Sequence, residues 1–130
     1  MRVDAGVSAA EEGCMKPKTR KKKLWRKADA SFSRFIRDRD RLCLKCGWTN
    51  RQLHCAHIFP RTRAATRYWS LNAITLCGMP CHKWWHENPA ESGIWIQDIK
   101  GTEFIERLRQ RSLIVMKRAD AAAAWLAAHP

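Results

Sequence analysis

The sequence predicts a small α+β domain stapled by zinc, with a short β-hairpin and helix at its centre and helices on either side. Three observations carry this. Four cysteines are paired as Cys43-x2-Cys46 and Cys77-x3-Cys81. The stretch between the pairs holds two short strand-like segments. Before and after it, apolar residues recur at helical spacing. At 130 residues the chain is long enough for one compact domain.

The charge balance is unusual: 25 Lys and Arg stand against 12 Asp and Glu, a formal +13. Such a field suits a polyanionic partner, most simply nucleic acid. No run of apolar residues reaches the length of a membrane span. Residues 1–10 lack the basic start and apolar run of a secretory leader. The expected setting is therefore reducing, where spaced thiols read as metal ligands before they read as disulfides. Cys14 and Cys55 fall outside the pairs and are expected to be free thiols.

Residues 1–23 carry no apolar period and end in Lys16-Pro-Lys-Thr-Arg-Lys-Lys-Lys23, which reads as a flexible basic arm. From Leu24, the positions Trp25, Ala28, Phe32, Phe35 and Ile36 predict an amphipathic helix with a basic outer face. Gly47 after Cys46 allows a tight turn behind the second thiol. Strands are expected over Gln52–Ile58 and Asn72–Leu76, joined by an arginine-rich loop. Cys81–Glu87 reads as a helix with Pro80 near its start and Trp84 facing the core. Asn88 and Thr102 are expected to cap the next two helices, the first burying Ile94, Trp95 and Ile99. Residues 113–130 hold a last, alanine-rich helix anchored by Trp125 and Leu126. Leu113–Met116 is consistent with helix or strand.

Zinc in a structural site is tetrahedral, and two cysteine pairs commonly close it. Cys43, Cys46, Cys77 and Cys81 are the expected ligands. The insert and its flank also hold His54, His57, His82 and His86, four of the five histidines. His82 and His86 are four residues apart on an expected helix, so their imidazoles share a face and can bind one ion.

In this order, Cys43-x2-Cys46, Ala56-His57-Ile58 with Pro60, Asn72, Leu76-Cys77 and Cys81-His82 resemble the HNH endonucleases of the ββα-metal class. Thr66-Arg67-Tyr68-Trp69 and Trp84-Trp85-His86-Glu87-Asn88-Pro89 look like small phage-borne members. The match covers about residues 43–86, within a nuclease domain spanning 24–112. The resemblance implies a metal-dependent hydrolysis of DNA phosphodiesters. His57 would be the general base, and Asn72 would brace the loop that carries it. His82, with His86, would hold a catalytic divalent ion (Mg2+, Mn2+, Ni2+ or Zn2+). It further implies a cytoplasmic protein of a bacterial or phage-infected cell, acting on double-stranded DNA, with a second copy of the chain as a possible partner for double-strand cutting.

One position departs from the family. An Asp or His usually precedes the base as a metal ligand, and here Ala56 stands there. Along a strand His54 lies on the same side as Ala56, so it is a candidate replacement; the alternatives are water in that position with His82 and His86 sufficing, or a weak or inactive nuclease. Arg61, Arg63 and Arg67 are expected to contact phosphate, as are Lys21, Lys22 and Lys23 of the arm. Two other readings stay open: a zinc-held DNA-binding protein that does not cut, and a nuclease selective for branched DNA.

Overall fold

The computed structural model describes residues 17–130 and shows an α+β fold: one two-stranded antiparallel sheet and six α-helices among the described residues. Helix α1 spans Pro17–Asp40, followed by β1 over Leu53–His57 and a single turn, α2, over Ala64–Arg67. A 3-10 turn at Ser70–Asn72 leads into β2 over Ala73–Cys77. A wide turn at Gly78–His82 then opens α3 over Lys83–Glu87. Helices α4 (Pro89–Lys100), α5 (Thr102–Ser112) and α6 (Arg118–Ala128) complete the chain.

The flexible arm expected over residues 1–23 needs correction. Its final residues, from Pro17 to Lys23, form the opening turns of α1. Lysine and arginine are good helix formers, and proline is tolerated at a helix start, so lack of an apolar face does not prevent helix here. Residues 1–16, Cys14 included, lie outside the described residues.

The hairpin pairs Leu53 with Cys77, His54 with Leu76, Ala56 with Ile74 and His57 with Ala73. Side chains alternate across it, so each face meets a different layer. One face sends Ala56, Ile74 and Leu76 into a core with Cys43, Cys77, Cys81, Trp85 and Ile96. The other packs Ala73 and Cys55 against Ala28, Phe32 and Ile36 of α1 and Ala122 and Trp125 of α6. The α1 side also ties down the edge of β2. The Thr75 amide donates to Asp40 Oδ2 at 3.1 Å and its hydroxyl to the Ile36 carbonyl at 3.2 Å. Leu44 N–H donates to the Thr75 carbonyl at 2.9 Å, which brings the first cysteine loop onto the sheet.

Several local expectations change. Trp85 is the tryptophan buried in the core; Trp84 packs against that core half-buried, beneath the Lys45 ammonium 4.4 Å from its ring. Cys81 and Trp85 lie four residues apart, one helical turn, and share the face that enters this core. On α4 the buried positions are Ser92 and Ile96 with Trp95 packed beside them, while Ile94 and Ile99 face outward. Phe35 is 39% exposed, resting its edge on Trp125. Neither Asn88 nor Thr102 caps by side chain: the Asn88 amide turns back to donate to the Trp84 carbonyl, and Gly101 takes the cap before α5 with φ 93°. Residues 113–116 form neither helix nor strand. No helix among the described residues is long and apolar enough to cross a membrane.

Candidate metal centres and active-site cleft

The first site is built by two turns. Behind the first pair, Gly47 adopts φ 79° and its N–H donates to the Cys43 carbonyl at 2.8 Å, the tight turn that the sequence led us to expect. Behind the second pair, β2 ends at Cys77 and the wide turn brings Cys81 back. The four sulfurs all lie within 4.8 Å of one another. Ligands about 2.3 Å from a tetrahedral zinc stand about 3.8 Å apart. The Cys46 and Cys77 sulfurs are 3.8 Å apart. Burial pushes the Cys43 thiol up, but the N–H groups of Cys46, Cys77 and Lys45 outweigh it and bring it down to about 6. A thiol that ionises so readily suits a metal ligand. Cys81 moves the other way, raised by burial and by the three neighbouring sulfurs. Donor chemistry and spacing therefore fit a structural zinc, with Cys43, Cys77 and Cys81 buried and Cys46 exposed.

The second site lies across the hairpin's end. A cleft of about 930 Å³ is lined by His57, Arg61, His82, His86, Asp29 and Ser33, with apolar walls from Trp85, Ile96 and Ile105. His57 closes β1, its ring stacked on Phe32 at 5.4 Å. Its Nε2 lies 2.9 Å from the Arg67 carbonyl. A carbonyl only accepts, so Nε2 carries the proton and Nδ1 keeps a free lone pair. Burial lowers the His57 pKa below its ordinary 6.5, against the Arg67 carbonyl bond that raises it; the charges of Arg61 and Arg67 lower it further. The ring is thus neutral at neutral pH, with one basic nitrogen.

Asn72 is fully buried and spends its amide on the loop after β1. Oδ1 accepts from Phe59 N–H at 2.8 Å, and Nδ2 donates to the Phe59 and Thr66 carbonyls, both at 3.0 Å. The Asn72 carbonyl also accepts from Ile58 N–H at 2.9 Å. Phe59 is therefore gripped on both sides, two residues past His57, and Thr66 is held next to the Arg67 carbonyl that orients the ring.

His82 and His86 meet through their Nε2 atoms, 3.0 Å apart. Two nitrogens roughly 2.1 Å from one ion and about 90° apart stand about 3.0 Å from each other, so the pair fits a shared divalent ion. Burial takes the His82 pKa down to about 4, helped by the imidazoles of His86, His54 and His57, which keeps the ring neutral as a ligand must be. His54 approaches from the other side, its Nδ1 2.9 Å from His82 Nδ1. Ala56 is buried and offers no ligand atom.

The arginines divide. Arg61 is exposed at the cleft's edge, Arg63 is exposed in the loop after it, and Lys21, Lys22 and Lys23 are exposed along α1. Arg67 is a correction to the expected phosphate contacts. It is 7% exposed, and Asp29 holds it bidentately at 3.0 and 2.6 Å. Its remaining nitrogen donates to the Arg61 carbonyl at 3.0 Å. Each of the three guanidinium nitrogens is engaged inside the protein, so the side chain positions the loop instead of meeting a ligand.

Asp29 is the residue that sequence reasoning passed over. Besides Arg67 it accepts from the Tyr68 hydroxyl at 2.8 Å and lies 3.7 Å from Arg61. Burial raises its carboxyl, but these donors outweigh that and hold it below its ordinary value. The available signal was an acid on the inner side of a helix otherwise dominated by cations. Compared with known proteins, the chain matches no family model, no curated protein and no solved structure at a significant level.

Proposed function

We propose that this protein is a metal-dependent endonuclease of the HNH type that hydrolyses phosphodiester bonds in DNA. The observation that carries the reading is one cleft lined by His57, with its tautomer fixed for base chemistry, and by the His82–His86 pair. In this reading His57 Nδ1 takes the proton of a water as that water attacks phosphorus in line. A neutral, buried imidazole with an oriented lone pair is suited to that step. Nε2–H, held by the Arg67 carbonyl, stabilises the imidazolium that forms. Asn72 keeps the base at its station by fixing Phe59 and Thr66. When bound at His82 and His86, a divalent ion supplies charge stabilisation to the phosphate and to the leaving oxygen. Arg61, Arg63 and the lysines of α1 neutralise phosphates on either side and set the register of the duplex. The four-cysteine zinc holds the hairpin to the loop that precedes it.

The alternative, a zinc-held DNA-binding protein that does not cut, is favoured by one specific observation: Ala56 leaves the position beside the base without a ligand. Incubation of supercoiled plasmid with zinc-loaded protein plus Mg2+, Mn2+ or Ni2+, or with EDTA, separates the two. The nuclease reading expects metal-dependent nicking that EDTA abolishes. Retarded but uncut plasmid under every metal condition supports the binding protein instead. Parallel linear, nicked and four-way junction substrates test for a structure-selective nuclease.

A further inference from the structure

His82 is the middle ring of three. Its Nδ1 meets His54 Nδ1 at 2.9 Å and its Nε2 meets His86 Nε2 at 3.0 Å. The two nitrogens of one imidazole point in divergent directions, so a single ion cannot use both. His57, His82 and His86 line the cleft, whereas His54 does not. An ion that shares the cleft with His57 therefore belongs at the Nε2 pair, and the Nδ1 contact faces away from it.

The position of His54 is also built for. A Cβ on Gly78 would stand 2.9 Å from His54 Cε1 and 3.0 Å from its Nε2. Only glycine leaves that space, and its N–H is anchored by the Gln52 carbonyl at 2.8 Å, so the backbone cannot easily retreat. The Cε1–Nε2 edge of His54 lies in this backbone cradle and its Nδ1 is left to face His82. The two rings are nearly perpendicular, at 84°, with their centroids 5.1 Å apart.

We infer that His54 is a positioning residue: it accepts a hydrogen bond from His82 Nδ1–H and so holds His82 in the tautomer whose Nε2 lone pair faces the cleft. This rests on reading His82 and His86 as metal ligands. A partner on the distal nitrogen fixes the ring of a ligating histidine and raises its basicity. In most such sites a carboxylate or a carbonyl plays that part; here an imidazole does. It also accounts for Ala56: His54 shares its strand face but acts behind the ligand, not in place of the missing one.

The test has two arms on zinc-loaded, full-length protein. Long-range 1H–15N correlation of the imidazoles, with no further metal added, reads the tautomers. The expected result is a proton on Nδ1 of His82 and on Nε2 of His54. The reverse assignment for His82 overturns the inference, whatever any variant does. Calorimetric titration with Ni2+ then compares wild type with His54→Leu, His54→Asn and His86→Ala, each checked for zinc content and helicity. His54→Leu should weaken nickel binding roughly 10–100-fold. His54→Asn, whose Oδ1 can stand where Nδ1 stood, should recover most of that. Nickel bound equally by His54→Leu and wild type overturns the inference. So does equal weakening in both variants, which would make His54 a ligand. If His86→Ala binds nickel as tightly as wild type, the underlying assignment of the metal pair fails, and this inference with it.

Discussion

Asn72→Ala is the perturbation whose size can be worked most directly from the geometry. The side chain is fully buried and makes three hydrogen bonds, all to backbone groups of the loop after β1. Each is worth about 1 kcal/mol net, and an alanine leaves all three backbone partners facing a void. The expected loss is therefore about 3 kcal/mol. For a domain of this length that is a fall in Tm of about 10 °C. Asn72→Asp should do no better at neutral pH. It keeps an acceptor for Phe59 N–H but turns an oxygen toward two carbonyls that need a donor. Urea unfolding in saturating zinc measures both variants against wild type. A loss below about 1 kcal/mol for Asn72→Ala, with unchanged m, would refute the claim that this amide holds the loop.

Further predictions follow from other parts of the molecule. Elemental analysis should give one tightly held zinc per chain, and Cys77→Ser or Cys43→Ser should lose zinc and helical structure together, as far-UV circular dichroism will read. The Asp29 carboxyl is held below its ordinary 3.8, so its stabilisation is present above that pH and lost as pH falls through the lowered value. Acid unfolding of Asp29→Asn should accordingly show a flatter approach to its midpoint than wild type, starting from lower stability at neutral pH. Affinity for duplex DNA should fall steeply with salt, and replacing Lys21, Lys22 and Lys23 with alanine should reduce the slope of log K against log salt by nearly three. Arg67→Ala should leave that slope unchanged and lower stability instead, because its charge is spent on Asp29.

What the sequence made legible was what spacing alone controls. The two cysteine pairs, the turn at Gly47 and both strands, within a residue of their ends, depend on neighbours close in the chain. The i, i+4 relation of His82 and His86 survives the shift in helix start because one turn still separates them. The HNH reading rested on the same local order. What escaped depends on partners distant in sequence. Arg67 looks like a phosphate contact until Asp29, 38 positions earlier, is seen to hold it. Phe35, Ile94 and Ile99 obey helical spacing, yet no element among the described residues covers them fully. His54 and His82 meet across 28 residues because the turn at Gly78 brings the helix start against β1. Strand parity could place His54 on the face of Ala56 but not say which nitrogen of which ring it would meet.

The central claim is that His57 is the base of a phosphodiester hydrolysis. Single-turnover nicking of plasmid, followed against pH with Mn2+ held constant, tests it most directly when wild type is compared with His57→Ala of verified fold and zinc content. The account predicts a wild-type rate that is level at neutral pH and falls off only below pH 6.5, since burial holds the imidazole neutral down to that range. It predicts a loss of roughly 10²–10⁴-fold for His57→Ala. Cleavage by His57→Ala at the wild-type rate would contradict it.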